Sequence, residues 1–238
     1  MSRTLGMAAL ALIAVTPLVA QEESATLYAG FDGKLSATHA AGDGQASING
    51  LPRFVEGVKG QAVVVGGDNW LSYAAAGNLN PAQGSVEFWL KPLDWDGRDD
   101  RDSHFFVGAA GADRLYIYKF ARWRHFTFHC RSAATPNYES LQAGIYAWQA
   151  GEWHHAVVTW DRATMRIYLD GELKSEASIP APLEDLGDTL YVGRELATPQ
   201  FAAGETALDE LYVYPRPLFP EEVRRAYTRL TEPAPPEL

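Results

Sequence analysis

Apolar and polar residues alternate with period two along much of the chain, and the runs are short. The clearest stretch is residues 151–171, Gly-Glu-Trp-His-His-Ala-Val-Val-Thr-Trp-Asp-Arg-Ala-Thr-Met-Arg-Ile-Tyr-Leu-Asp-Gly. Residues 153–160 are aromatic and β-branched, 161–164 turn, 165–169 return, and Asp170-Gly171 is a dipeptide favoured in two-residue hairpins. That succession predicts a β-meander. Further runs fall at 26–31, 62–65, 70–73, 85–90, 105–107, 114–120, 125–130, 172–177, 189–192 and 207–214, with Gly, Pro, Asn or Asp in nearly every gap. Strands without helical patterns between them predict an all-β sandwich of two antiparallel sheets rather than a parallel α/β sheet. One helix is expected, near the end. Pro220 suits its first position, Glu221 and Glu222 sit at the positive end of its dipole, and Val223, Ala226, Tyr227 and Leu230 form an apolar stripe for docking.

Several motifs carry a family resemblance. The 151–161 segment is followed by Tyr168-Leu-Asp-Gly171, Leu190-Tyr-Val-Gly-Arg194 and Ala207-Leu-Asp-Glu-Leu-Tyr-Val-Tyr-Pro-Arg-Pro-Leu-Phe-Pro-Glu-Glu-Val223. Upstream lie Phe31-Asp32-Gly33, Gly57-Val-Lys-Gly-Gln-Ala62, Gly67-Asp-Asn-Trp-Leu-Ser-Tyr73 and Gly84-Ser-Val-Glu-Phe-Trp-Leu-Lys-Pro92. Taken in order, this set resembles the laminin-G-like, pentraxin-type domains of the concanavalin A-like lectin and glucanase superfamily, over residues 26–230. The resemblance implies a jelly-roll sandwich. It does not imply one activity, because that fold hosts lectins, hydrolases and adhesion modules.

Residues 1–20 read as a secretory signal: Arg3, an apolar run over 5–15, and a small residue, Ala20, at the cleavage position. The run is too short to span a bilayer, so secretion or a periplasmic location without membrane insertion is expected. The sandwich domain then occupies residues 26–230, and a proline-rich tail, 231–238, follows. The formal net charge is −10, which argues against nucleic acid as a partner, since phosphate neutralisation needs clustered Lys and Arg. A single cysteine, Cys130, excludes an internal disulfide, so the core, with a bound Ca²⁺ as a candidate support, must hold the fold.

Asp209 is the leading metal-ligand candidate. Simple alternation places it on one face with Leu211 and Val213, and Leu208, Glu210, Tyr212 and Tyr214 on the other. A carboxylate on an aliphatic face needs a partner. Two partners are open: a Ca²⁺ shared with Asp32 and completed by carbonyls and water, or the amides of a loop. Many domains of the resembled type carry an ion near the sandwich edge. The loop with Asp94, Asp96, Asp99, Asp100 and Asp102 lacks the EF-hand pattern and reads as solvated. His125 and His129 are too far apart on a strand to share an ion, and Cys130 points to the opposite face, with Phe126 and Phe128.

Catalysis finds no motif. The superfamily's glucanases carry Glu-x-Asp-x-x-Glu on one strand, which is missing, as are nucleophile elbows, His-Glu-x-x-His and phosphate loops. The seven tryptophans and eleven tyrosines suit carbohydrate, whose C–H faces stack on aromatic rings. Loop placement makes Trp95, Trp123, Trp148 and Tyr138 the candidate exposed platforms, with Arg122 and Arg124 as polar neighbours. The expected function is an exported, non-catalytic module that binds glycan. Two alternatives are an adhesion or scaffold module that binds extracellular protein, and a glycoside hydrolase or polysaccharide lyase with a reassembled site.

Overall fold

Three consecutive strands form where the alternation is strongest. The computed structural model describes residues 24–100, 104–120, 124–135, 139–194 and 204–232. Numbered in chain order, β12 (His154–Trp160), β13 (Thr164–Leu169) and β14 (Glu172–Ser178) make the meander. Asp170 and Gly171 both take positive φ, 51° and 78°, as a type I′ turn requires. These strands form one end of a nine-stranded antiparallel sheet that continues through β7 (Gly84–Pro92), β16 (Thr206–Tyr214), β1 (Leu27–Ala29) and β2 (His39–Ala40). A hairpin of β4 (Phe54–Glu56) and β5 (Gln61–Val65) also joins β16. The second sheet has seven strands, in the order β11 (Glu139–Gly144), β10 (His125–Arg131), β9 (Arg114–Lys119), β8 (His104–Ala110), β15 (Thr189–Val192), β6 (Trp70–Ala74) and β3 (Ser47–Asn49). Together the sheets make the expected jelly-roll sandwich.

Residues at alternate positions fill the space between the sheets. Val86, Phe88 and Leu90 of β7 and Ala156, Val158 and Trp160 of β12 pack in one cluster with Leu115 and Ile117 of β9 and Phe126, Phe128 and Cys130 of β10. Cys130 is thus a core residue. On the far side of the nine-stranded sheet lies helix α1 (Pro220–Thr231). Its Val223 and Ala226 are buried, and Tyr227 stacks on Trp89 with ring centroids 5.8 Å apart. Burying a side chain such as Val223 stabilises by roughly 1.5–3 kcal/mol. Glu222 fixes the start of the helix by accepting the Phe219 amide at 2.8 Å and pairing with Arg216 through two hydrogen bonds.

Near the helix the outer face of this sheet carries two fully buried glutamates. Glu87 accepts the Tyr214 hydroxyl at 3.0 Å and lies 3.3 Å from His155 Nε2. Glu210 accepts the hydroxyls of Tyr28 (2.7 Å) and Tyr212 (3.2 Å) and the Lys59 ammonium (3.3 Å).

The alternation expected along β16 fails at one point. Leu208, Leu211 and Val213 belong to the core, and Asp209 does not share their face. The register against β7 shifts between Asp209 and Tyr212, and Glu210 adopts φ 48°. The cause is a change of partner, since residues 206–208 pair with β5 whereas 211–213 pair with β1. An extra residue absorbs the offset as a bulge.

Candidate functional site

The outer face of the seven-stranded sheet gathers chemistry that the core does not use. Because Leu115, Ile117, Phe126, Phe128, Cys130 and Leu141 point inward, Arg114, Tyr116 and Tyr118 of β9 point out. So do His125, Thr127, His129 and Arg131 of β10, and Ser140 and Gln142 of β11. Phe105 joins them across a register irregularity in β8. It stacks on Tyr118 at 4.8 Å and meets Tyr116 edge-on at 5.9 Å, and Tyr116 stacks on His129 at 5.7 Å. His129 Nδ1 lies 2.9 Å from the Ser140 hydroxyl. Burial, and then the charges of Arg114 and Arg131, push the His129 imidazole down to about 4, so it is neutral at physiological pH.

The same face holds polar atoms in need of partners. Thr127 is wholly buried, and its hydroxyl, like His125 Nδ1, has no hydrogen-bond partner among the described residues. Gly108 of β8 sits in register between Tyr116 and Tyr191, a position without a side chain. Farther along, Trp70 and Tyr191 meet edge to face at 5.9 Å, with the Arg194 guanidinium 4.6 and 4.5 Å from their rings. Rings interleaved with hydroxyl, amide and guanidinium groups suit a ligand with apolar faces and polar edges.

The residues expected as exposed platforms lie elsewhere. Trp95 is a core residue, 3% exposed, with Nε1 donating to Thr206 at 3.0 Å and its ring stacked on His104 at 4.3 Å. Trp148 is likewise buried, stacked on His154 at 4.1 Å. The expectation that these two are exposed is therefore corrected, and the reason is simple. A large apolar ring at a sandwich end gains more from closing the core than its polar neighbours in sequence suggest. Arg124 adopts φ 49° and makes an exposed ion pair with Asp100 at 3.4 Å, a contact of small energetic weight. Trp123, Arg122 and Tyr138 fall outside the described residues. The acidic loop caps its own backbone: Asp96 accepts the amides of Arg98 and Asp99, and Asp94 accepts that of Glu205. A cavity of about 330 Å³ opens beside it, lined by residues of 94–100 and Ala150.

Asp32 and Asp209 each accept backbone amides at or beside the turn at residues 57–60. Asp32 Oδ1 accepts the Gln61 amide at 2.8 Å, and Asp209 accepts the amides of Lys59 at 3.1 Å and Glu210 at 2.8 Å. Gly60 must be glycine there. Its φ is 62°, and a Cβ would lie 1.9 Å from Asp32 Oδ1. Burial, reinforced by the charge of Glu210, raises the Asp209 carboxyl to about 7. No group of three or more His, Cys, Asp or Glu able to hold a metal exists among the described residues. The donor set nonetheless fits a hard cation in kind. It offers a buried carboxylate partnered by amides and, beside the same turn, the Lys59 carbonyl: a Cβ at Gly57 would lie 2.5 Å from Asp209 Oδ2 and 2.9 Å from that oxygen.

Two antiparallel sheets in jelly-roll order define the concanavalin A-like sandwich class. The chain belongs to the Laminin_G_3 family of the concanavalin A-like lectin/glucanases superfamily, whose model matches residues 65–224. Among solved structures, the binding domain of Paraclostridial Mosquitocidal Protein 1 is similar at TM-score 0.73 and 11% identity, over 89% of this chain and 53% of that one. Domain 4 of AbnA, an extracellular arabinanase from Geobacillus stearothermophilus, in complex with arabinotriose, is similar at TM-score 0.65 and 20% identity, over 84% and 97%. The binding domain of botulinum neurotoxin DC in complex with SialylT is similar at TM-score 0.65 and 12% identity, over 88% and 52%. The chain thus spans about half the length of the toxin domains it matches. The sequence matches no curated protein. No helix among the described residues is long and apolar enough to cross a membrane.

The residues of the outer face left a signal in the sequence that metal-oriented reading passes over. In Arg114-Leu-Tyr-Ile-Tyr118 and His125-Phe-Thr-Phe-His-Cys-Arg131, every second residue is polar or aromatic and the others are apolar. The alternation marks one polar and aromatic face. What it lacks is the register that sets β9 beside β10.

Proposed function

We propose that the protein is an exported, non-catalytic carbohydrate-binding module whose ligand lies on the outer face of the seven-stranded sheet. The observation that carries this reading is the part-exposed group Tyr118, His129, Ser140 and Gln142 on that face, with the buried rings of Phe105 and Tyr116 stacked behind Tyr118 and His129. It combines ring surface for sugar C–H groups with donors and acceptors for hydroxyls. The complexes of two structurally similar domains, with arabinotriose and with SialylT, support the same ligand class. A non-catalytic role is supported by the two fully buried glutamates, Glu87 and Glu210, which lie on the other sheet and are held by tyrosines, His155 and Lys59. Export rests on the leader at residues 1–20.

A structural Ca²⁺ held by Asp32 and Asp209 is part of the proposal. It would neutralise the buried Asp209 carboxylate and tie the turn at 57–60 to β16. The test is a glycan array probed with the exported protein, with calcium and with chelator. Retention of a defined saccharide set, lost in Tyr118→Ala while the fold persists, is the expected result. A blank array under both conditions would overturn the carbohydrate reading and leave protein binding as the alternative.

A further inference from the structure

Two arginines stand directly opposite one another on the outer face of the seven-stranded sheet. Arg114 of β9 and Arg131 of β10 are cross-strand partners, one step along from the Tyr116–His129 pair. Both point outward, because Leu115 and Cys130 beside them are core residues. Like charges in directly opposed positions repel, so such a pair is favoured by a compensating anion. No carboxylate pairs with either side chain among the described residues. No outward position of β9, β10 or β11 carries a carboxylate, and neither arginine has a hydrogen bond or ion pair among the described residues. The two charges matter on this face, as each contributes to depressing the neighbouring His129. In a chain of net charge −10, an unneutralised arginine pair beside an aromatic platform runs against the overall balance.

We propose that Arg114 and Arg131 form the anion-recognising end of the saccharide site, so that the ligand class is an acidic saccharide bearing a carboxylate or a sulfate ester. The inference rests on the carbohydrate reading and narrows it. Each guanidinium presents a planar fork of N–H donors that matches the paired oxygens of either group. The part-exposed rings of Tyr118 and His129 then contact the sugar that carries the anion, with Tyr116 buried behind them. Neutral His129, hydrogen-bonded to Ser140, contributes packing and polarity without charge.

The test is titration calorimetry on the full exported chain at physiological salt with four probes: arabinotriose as the neutral reference, sialyllactose and an oligogalacturonide as carboxylates, and a sulfated oligosaccharide. At least one anionic probe should bind about tenfold or more tightly than arabinotriose, and which arm responds separates carboxylate from sulfate. Arg114→Gln and Arg131→Gln should each remove that preference with no loss of melting temperature. If neutral saccharides bind and no anionic probe binds better, or if the double variant keeps the preference, the arginine assignment is overturned and the carbohydrate reading stands. If no saccharide of any charge binds, both fall together.

Discussion

The two outer faces of the sandwich use similar side chains to opposite ends. Near helix α1, the outer face of the nine-stranded sheet carries Glu87, His155, Tyr214, Tyr28, Glu210 and Lys59, and each buried carboxylate there meets hydroxyl, imidazole or ammonium groups. The outer face of the seven-stranded sheet carries Tyr116, Tyr118, His129, Arg114 and Arg131, and there two like charges lack any counter-ion among the described residues. Pairing within the fold is not complete on the first face, where Trp89 Nε1 and His155 Nδ1 have no hydrogen-bond partner among the described residues. The charges decide the contrast. A face whose ions are matched internally serves the fold, and a face whose ions are unmatched leaves them available to an anion from outside.

The sharpest way to break this contrast is to unmatch the first face. Glu87→Ala leaves Tyr214 and His155 without their shared acceptor in a fully buried site, which should cost about 3 kcal/mol or more. Urea titration followed by tryptophan fluorescence measures it. Glu87→Gln, which retains an acceptor for Tyr214, should recover part of the loss. If Glu87→Ala melts like the parent, the network does not hold the fold and the division between the two faces collapses.

A comparable loss is expected at the buried tryptophans Trp95 and Trp148. Trp95→Ala removes a buried ring together with its bond to Thr206, so a cost of about 3–5 kcal/mol is expected, as for other large-to-small core changes. A sugar platform would behave in the opposite way, with stability kept and binding lost. Equilibrium unfolding and glycan retention, measured on the same variant, separate the two.

These tryptophans show where sequence stops being legible. Period-two alternation and turn residues are local, so the meander, the Asp170-Gly171 turn and the docked helix could all be read directly. The strands β2, β3, β4 and β11 could not, because they are short, exposed or built from residues of weak strand preference such as those of 139–144. Alternation also misplaced Asp209, since a bulge is created by a change of strand partner that one strand alone does not reveal. The arginine pair escaped for the same reason. Arg114 and Arg131 are distant in sequence and become neighbours only through the register of β9 on β10.

A smaller and pH-dependent effect is expected at Asp209. Its folded carboxyl titrates near 7, above the ordinary value of 3.8, so between those pH values the folded state holds a proton that the unfolded state has released. Stability from this group is therefore fully present below about 4 and falls as pH rises through about 7. In chelator, the parent should melt at a lower temperature at about pH 8 than at about pH 5, and Asp209→Asn should flatten that dependence. Added Ca²⁺ favours the ionised carboxylate, so it should raise the melting temperature of the parent most at the alkaline end and leave Asp209→Asn unmoved. Identical curves in calcium and chelator would remove the ion and leave Asp209 as a cap for the amides of the turn.

The smallest expected effect is the most telling for the open face. Arg131→Gln removes one member of an in-register like-charge pair, so its stability should change by no more than about 0.5 kcal/mol, and in the direction of a gain. An ion pair serving the fold would lose stability when cut, whereas a charge held for a ligand costs the empty fold a little and is relieved by removal. The sign of this small change, read from paired thermal melts at low salt where exposed charges are least screened, therefore says which kind of arginine this is. A destabilised Arg131→Gln would mean that the charge is already matched within the molecule, and the two faces would then differ in residue type without differing in purpose.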